Sequence, residues 1–97
     1  MSNDVMITEI EVVPVKPHEG LIGFASFVLD GKYYVGSVAV HTRLNGGGFR
    51  LVYPAKKVGE RQINTFYPIT QAVGRTIEDA VAEKVNEIVY DRGNENI

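Results

Sequence analysis

The side chains best placed to do chemistry in this sequence are cations, and the chemistry they suit is phosphate binding. Lys56 and Lys57 are adjacent, Arg61 follows four residues on, Arg50 precedes them and Arg75 lies beyond. Long cationic side chains reach the phosphates of a nucleic-acid backbone and fix a protein's position on it. From Arg43 to Arg61, the cations Arg43, Arg50, Lys56, Lys57 and Arg61 stand against Glu60 alone. From Glu78 to Glu95 the balance inverts: Glu78, Asp79, Glu83, Glu87, Asp91 and Glu95 outnumber Lys84 and Arg92. The formal net charge is only −2, which argues against indiscriminate binding to polyanions. Segregated charge, rather than net charge, is the signal. A plainer reading stands beside it: lysines at a hairpin tip keep a sheet edge soluble, and the acids are a solvated helix face.

Other chemistries are poorly supplied. The chain has no cysteine, which excludes disulfides and thiol catalysis and fits a reducing compartment. His18 and His41 lack the converging partners and spacing of a metal site. Ser2 lies near the start of the chain, and Ser26 and Ser37 fall within strand-like runs with no nucleophile elbow around them. Glu9 with Glu11 reads as an exposed strand face. Glu78 with Asp79 reads as acid placed in the first turns of a helix, where negative charge suits the dipole. Gly46-Gly47-Gly48 precedes a strand rather than a helix and lacks a following Lys-Ser/Thr, so it reads as a turn and not a phosphate cradle. No enzyme, metal or cofactor is expected.

These residues must be positioned by a small set of elements. Ninety-seven residues, 44% hydrophobic and 23% charged, suit one globular domain with an ordered core of about residues 6–90. No apolar run approaches a membrane span and the first residues do not read as a signal peptide, so the expectation is a cytoplasmic protein. Alternation over Met6 to Val15 predicts a first strand, ended by Pro14 and Pro17, with Thr8, Ile10 and Val12 on one face. Leu21 to Leu29 and Lys32 to His41 read as strands joined by Asp30-Gly31, a preferred pair for a two-residue hairpin turn. In the third, Tyr33 and Val35 fall on one face and Tyr34, Val38 and Val40 on the other. Asn45 to Gly48 makes a turn, Phe49 to Tyr53 a fourth strand, Ala55 to Glu60 a loop with Lys56 and Lys57 at its tip, and Arg61 to Tyr67 a fifth strand. Thr70 to about Tyr90 carries an apolar stripe at helical spacing. Thr70 is a candidate cap, and Thr76, with Asp79 three residues on, is a competing start favoured by Gly74. Asp91 onward reads as a polar trailing end. The fold class is therefore α+β: a five-stranded, mostly antiparallel sheet followed by one C-terminal helix.

One helix covers one face of such a sheet. Strands two and three nonetheless carry large apolar groups on both faces, and an uncovered apolar face predicts a homodimer that buries it, or an edge strand that pairs across a two-fold axis. Phe49, Tyr53, Phe66 and Tyr67 interleave with the basic stretch and are candidates for stacking on bases.

Several segments together resemble a known family. I-T-E-I-E-V-V-P-V at residues 7–15 and F-V-L-D at 27–30 are followed by Y-P-A-K-K at 53–57, Y-P-I at 67–69 and I-E-D-A-V at 77–81. In that order and spacing they resemble the bacterial septation regulator SpoVG (stage V sporulation protein G) family, whose pattern runs M-P-S with two basic residues, then H-P-I, then I-Q-D-A-V. The likeness covers about Ile7 to Val89. It implies a dimeric α+β protein that binds DNA, with RNA binding in some members, and regulates gene expression linked to septation and sporulation. Lys56 and Lys57 match the family's basic pair. The family often has Arg at the place of Gly74 and Lys at that of Thr76; Arg75 is one residue off, about 100° around a helix, and Tyr67 replaces a common histidine. The resemblance thus implies nucleic-acid contacts from Lys56 and Lys57, with those at the helix start weakened or redirected, in a divergent member with altered sequence preference or one that has lost DNA binding; the segregated charge adds Arg61, Arg75 and Arg50 as candidate phosphate contacts. The alternative from a different class is a protein-interaction module that uses a sheet edge or the acidic helix face.

Overall fold

The computed structural model describes residues 5–44 and 47–95, with side chains described as far as Ile88. Its elements are β1 (Ile7–His18), β2 (Leu21–Leu29), β3 (Tyr33–Thr42), β4 (Phe49–Val52), β5 (Ala55–Val58), β6 (Arg61–Asn64) and α1 (Gln71–Glu95). The class is α+β with antiparallel pairing, as expected, but the five-stranded sheet is not formed. β1 to β4 make a four-stranded meander in that order, and β5 and β6 form a separate two-stranded ribbon. The segment read as a loop, Ala55 to Glu60, supplies the first ribbon strand, and the strand read as running to Tyr67 stops at Asn64.

Turn chemistry sets the meander. Asp30 (φ 54°) and Gly31 (φ 66°) both take left-handed conformations, and the Lys32 N–H donates to the Leu29 carbonyl at 3.0 Å, the geometry of a type I′ turn. Asp30 also fastens β1 to this turn. Its N–H donates to the Met6 carbonyl at 2.7 Å, and its Oδ1 accepts from the Met6 N–H at 2.8 Å. Glu19 and Gly20, both with positive φ, close the β1–β2 turn. Asn45 and Gly46 of the expected glycine turn lie outside the described residues, as do residues 1–4.

Two bulges decide what the core contains. Between Thr8 and Glu11, β1 advances three residues while β2 advances two, and Glu9 has φ 51°. Between Val35 and Val38, β3 does the same against β2, with Ser37 at φ 59°. Each extra residue shifts the alternation by one. As a result Val35 joins Val38 and Val40 inside, rather than facing away from them, and Ile7 packs with Ile10 and Val12 against the core. β1 also continues through Pro14 and Pro17 to His18. It is an edge strand, so the missing proline N–H groups need not interrupt a ladder on both sides.

Helix α1 crosses this inner face and contacts β1 and β4. Thr70 caps it: the Val73 N–H donates to Thr70 Oγ1 at 3.3 Å and the Gly74 N–H to the Thr70 carbonyl at 3.1 Å. The competing start at Thr76 is not used, since Thr76 Oγ1 donates to the Ala72 carbonyl inside the helix. Glu78 and Asp79 consequently fall beyond the first turn, which holds no acid. The helix also runs through Gly93 to Glu95 instead of trailing off after Tyr90. Ile77, Val81 and Val85 meet Ala25, Phe27, Val38, Val40 and Leu51 in the core. Phe27, Ile77, Val38, Val40 and Val81 are wholly buried, at roughly 1.5–3 kcal/mol each.

Two glycines answer to different constraints. A Cβ at Gly23 would lie 2.8 Å from the Val13 carbonyl oxygen of β1, whereas one at Gly74 would meet only Pro68, at 3.7 Å. Urea unfolding should therefore show Gly23→Ala losing about 1–3 kcal/mol and Gly74→Ala gaining about 0.5–1 kcal/mol. Shifts of the same sign would contradict this packing.

Candidate functional site

The ribbon is held at its base and exposed elsewhere. At the base, the Thr65 N–H donates to the Pro54 carbonyl at 2.9 Å and Thr65 Oγ1 to the same oxygen at 3.3 Å. Asn64 Nδ2 donates to the carbonyls of Pro54 and Tyr53 at 3.4 and 3.5 Å. Beyond that clamp every residue of β5 and β6 is exposed. Gly59 and Glu60 join Val58 to Arg61, and Gly59 alone of the pair has positive φ (64°), the pattern of a type II′ turn. The tip of the hairpin is therefore Gly59-Glu60, not Lys56-Lys57.

This changes what the two lysines can do together. Adjacent residues of a strand point to opposite faces. The pairings Lys56 with Ile63 and Val58 with Arg61 put those four side chains on one face of the ribbon, while Lys57 shares the other with Ala55, Gln62 and Asn64. Lys56 and Lys57 thus flank the ribbon rather than forming one pincer. On the first face Val58 is 52% and Ile63 49% exposed, an aliphatic pair left wet beside two cations.

Arg75 is placed elsewhere but close to the ribbon's root. It lines a cleft of about 360 Å³ with Tyr53, Tyr67, Pro68, Ile69, Thr70, Gln71, Gly74 and Glu78, where the start of α1 meets the chain leaving β6. Helix N-termini carry unpaired N–H groups and partial positive charge, so the cleft suits an anion on Arg75's side and is opposed by Glu78 on the other. Arg50 stands apart from both places. It lies on β4 opposite His41, on the sheet face turned away from the helix. Lys56, Lys57, Arg61, Arg75 and Arg50 make no ion pair with any described residue, whereas Arg43, part of the basic stretch in sequence, is turned to Glu78 at 3.7 Å and to the Phe49 carbonyl at 3.2 Å.

Of the four interleaved aromatics, three belong to the interior. Phe66 meets Phe27 edge-on at 6.4 Å and Tyr53 at 5.7 Å, Tyr53 is buried, and Phe49 packs against the core. Tyr67 alone among them is well exposed, set 5.6 Å edge-on to Tyr53.

A second surface was legible only as a count of faces. On the outer side of the sheet, Val13, Phe24, Ala39 and Val52 are cross-strand neighbours and form one apolar row over all four strands. Val13 is 63%, Phe24 41% and Val52 40% exposed. No group of His, Cys, Asp or Glu among the described residues is arranged to hold a metal ion, and no described helix is long and apolar enough to cross a membrane.

Comparison with protein-family models and with curated proteins gives no match for this chain.

The cleft places Tyr53, a stacking candidate in the sequence, in a different setting. The Tyr53 hydroxyl is buried without a hydrogen-bond partner among the described residues. Burial first, then the nearby Glu78 and Tyr67, push its phenol up to about 12 from an ordinary 10.0. In the unfolded chain the phenol ionises first as pH rises. Stability contributed by the neutral Tyr53 is complete below pH 10 and falls between about pH 10 and 12, by at most ~1.4 kcal/mol per unit. Tyr53→Phe should abolish that part of the alkaline loss and leave stability at pH 7 equal or slightly higher, because a buried unpaired hydroxyl is removed. Urea titrations of both proteins across this range check the difference; parallel pH profiles would contradict the burial of this group.

Proposed function

We propose that the chain is a dimeric nucleic-acid-binding protein, a divergent relative of the SpoVG family, acting as a regulator of gene expression of the kind linked to septation and sporulation control. The observation that carries the proposal is the β5–β6 ribbon. In a chain of net charge −2, it exposes Lys56, Lys57 and Arg61, none of them ion-paired with a described residue, on a projection whose other charge is Glu60. Cations presented this way suit phosphates on both sides of the ribbon. Arg75, at the helix start by the ribbon's root, adds a phosphate contact from a second element. Arg50, on the outer sheet face, contributes only if a bound backbone passes that face as well. The motif order Y-P-A-K-K, Y-P-I, I-E-D-A-V supports the family reading.

The dimer in this proposal buries the row Val13, Phe24, Ala39 and Val52. An apolar stripe across a whole sheet face is uncommon on a monomer's surface, and a two-fold axis through it would bring the same row onto itself. Concentration-dependent gel filtration should show a dimer that Phe24→Lys with Val52→Lys dissociates; a monomer mass across the whole range would remove this part of the proposal.

The same row, with the open edge of β4, favours a second reading in which the chain binds a protein partner and no nucleic acid. Binding to pooled duplex DNA at several salt concentrations separates the two. The slope of log K against log [salt] should flatten by about 0.9 for each phosphate contact removed, so Lys56→Ala, Lys57→Ala and Arg61→Ala combined should give a clearly shallower slope and weaker binding. Neither DNA nor RNA binding near physiological salt would leave the interaction module as the reading.

A further inference from the structure

We infer that the β5–β6 ribbon enters the major groove of duplex DNA and reads thymine methyl groups with Val58 and Ile63. The inference rests on the nucleic-acid reading above and goes beyond it, because phosphate contacts carry no sequence information.

The geometry of one ribbon face is the warrant. Lys56 faces Ile63 across the strands, and Val58 faces Arg61. The four side chains make a two-by-two array with aliphatics on one diagonal and cations on the other. Each strand therefore brings one aliphatic and one cation to this face. Val58 and Ile63 are about half exposed, with no helix or second sheet laid over them, since every residue of both strands is exposed. The opposite face, with Ala55, Lys57, Gln62 and Asn64, is mostly polar. The aliphatic face is the one that gains from a cover.

The major groove supplies the cover that matches all four side chains and the lysine behind them. It is about 12 Å wide and admits a two-stranded ribbon, whose strands lie about 4.8 Å apart. Its floor displays the thymine C5-methyl, the apolar group a Val or Ile can contact, and the guanine acceptors a cation can contact. Its walls are phosphate on both sides. Lys56 on one strand and Arg61 on the other have a wall each, and Lys57 on the outer face is long enough to turn to either. A flat protein surface would cover the aliphatic face alone and leave Lys57 unmatched. Four-residue strands span about 13 Å, so the reading covers on the order of four base pairs. The major groove of A-form RNA is too deep and narrow for side chains to read, so the occupant is duplex DNA.

The test uses the full chain and a duplex enriched by it from a randomised pool. Thymines of that duplex are replaced one at a time by deoxyuridine, which removes only the methyl group. The expected result is one or two positions within about four consecutive base pairs at which binding weakens about fourfold. Val58→Ser with Ile63→Ser removes the side-chain methyl groups from this face and keeps Lys56, Lys57 and Arg61, whose phosphate contacts set the salt dependence. This variant should lose sensitivity to deoxyuridine at those positions while retaining the salt dependence of the unchanged protein. Equal affinity for thymine and uracil duplexes, undiminished sensitivity in the variant, an enriched site without thymine, or equally tight binding of the matching RNA duplex would each overturn the inference. Salt-dependent binding without methyl sensitivity removes this inference and leaves the proposed function standing. No duplex binding at any salt concentration removes this inference, and no binding of either DNA or RNA removes both.

Discussion

The constraint on which this structure depends is that one helix can cover one face of one sheet. The core is therefore single-sided, and every apolar side chain that contributes to it must come from the inner face. β1 and β3 meet that demand by inserting an extra residue, at Glu9 and at Ser37, so that Ile7 joins Ile10 and Val12 and Val35 joins Val38 and Val40. Non-glycine residues in left-handed conformations cost of order 1 kcal/mol. The burial they permit at Val35 alone, which is 5% exposed, is larger than that. The outer face receives what remains, the row from Val13 to Val52.

The same economy explains why the basic segment lies outside the sheet. Pro54 follows β4, and its carbonyl is taken by the Thr65 N–H and by the side chains of Asn64 and Thr65. That clamp returns the chain to the core at Phe66 after a ten-residue excursion from Ala55 to Asn64. Inside the clamp nothing needs to be apolar, and A-K-K-V-G-E-R-Q-I-N is mostly polar. A two-stranded ribbon alone is marginal in water. Its base is fixed to the core, and the rest of its length projects with every residue exposed. The proposed function uses this division: Phe66 and Tyr53 hold the root, and Lys56, Lys57 and Arg61 are displayed beyond it.

Much of this was legible in the residues. Asp30-Gly31 specified its hairpin, the spacing from Val73 to Ile88 specified the helix, and Thr70 was a correct cap candidate. The bulges were not legible, because neither Glu9 nor Ser37 is a glycine and strict alternation is the default reading of V-G-S-V and T-E-I. β5 was missed for a related reason. Its four residues are exposed on both faces, so no periodic burial marks them, and only their pairing with β6 makes them a strand. That single error placed Lys56 and Lys57 together at a tip, whereas the pairing separates them to opposite faces. Tyr53 was read as an aromatic beside a basic patch. Its burial comes from contacts with Phe66 and the helix start that no local pattern reveals.

The central claim is that the ribbon, and not the outer sheet face, meets nucleic acid. Backbone amide hydrogen exchange, measured with and without duplex DNA at low salt, addresses it directly. The account predicts that DNA slows exchange in Ala55 to Asn64 and in the first turn of α1, with β1 to β4 unchanged. Slowing confined to the outer sheet strands, with the ribbon exchanging as fast as in the free protein, would contradict it.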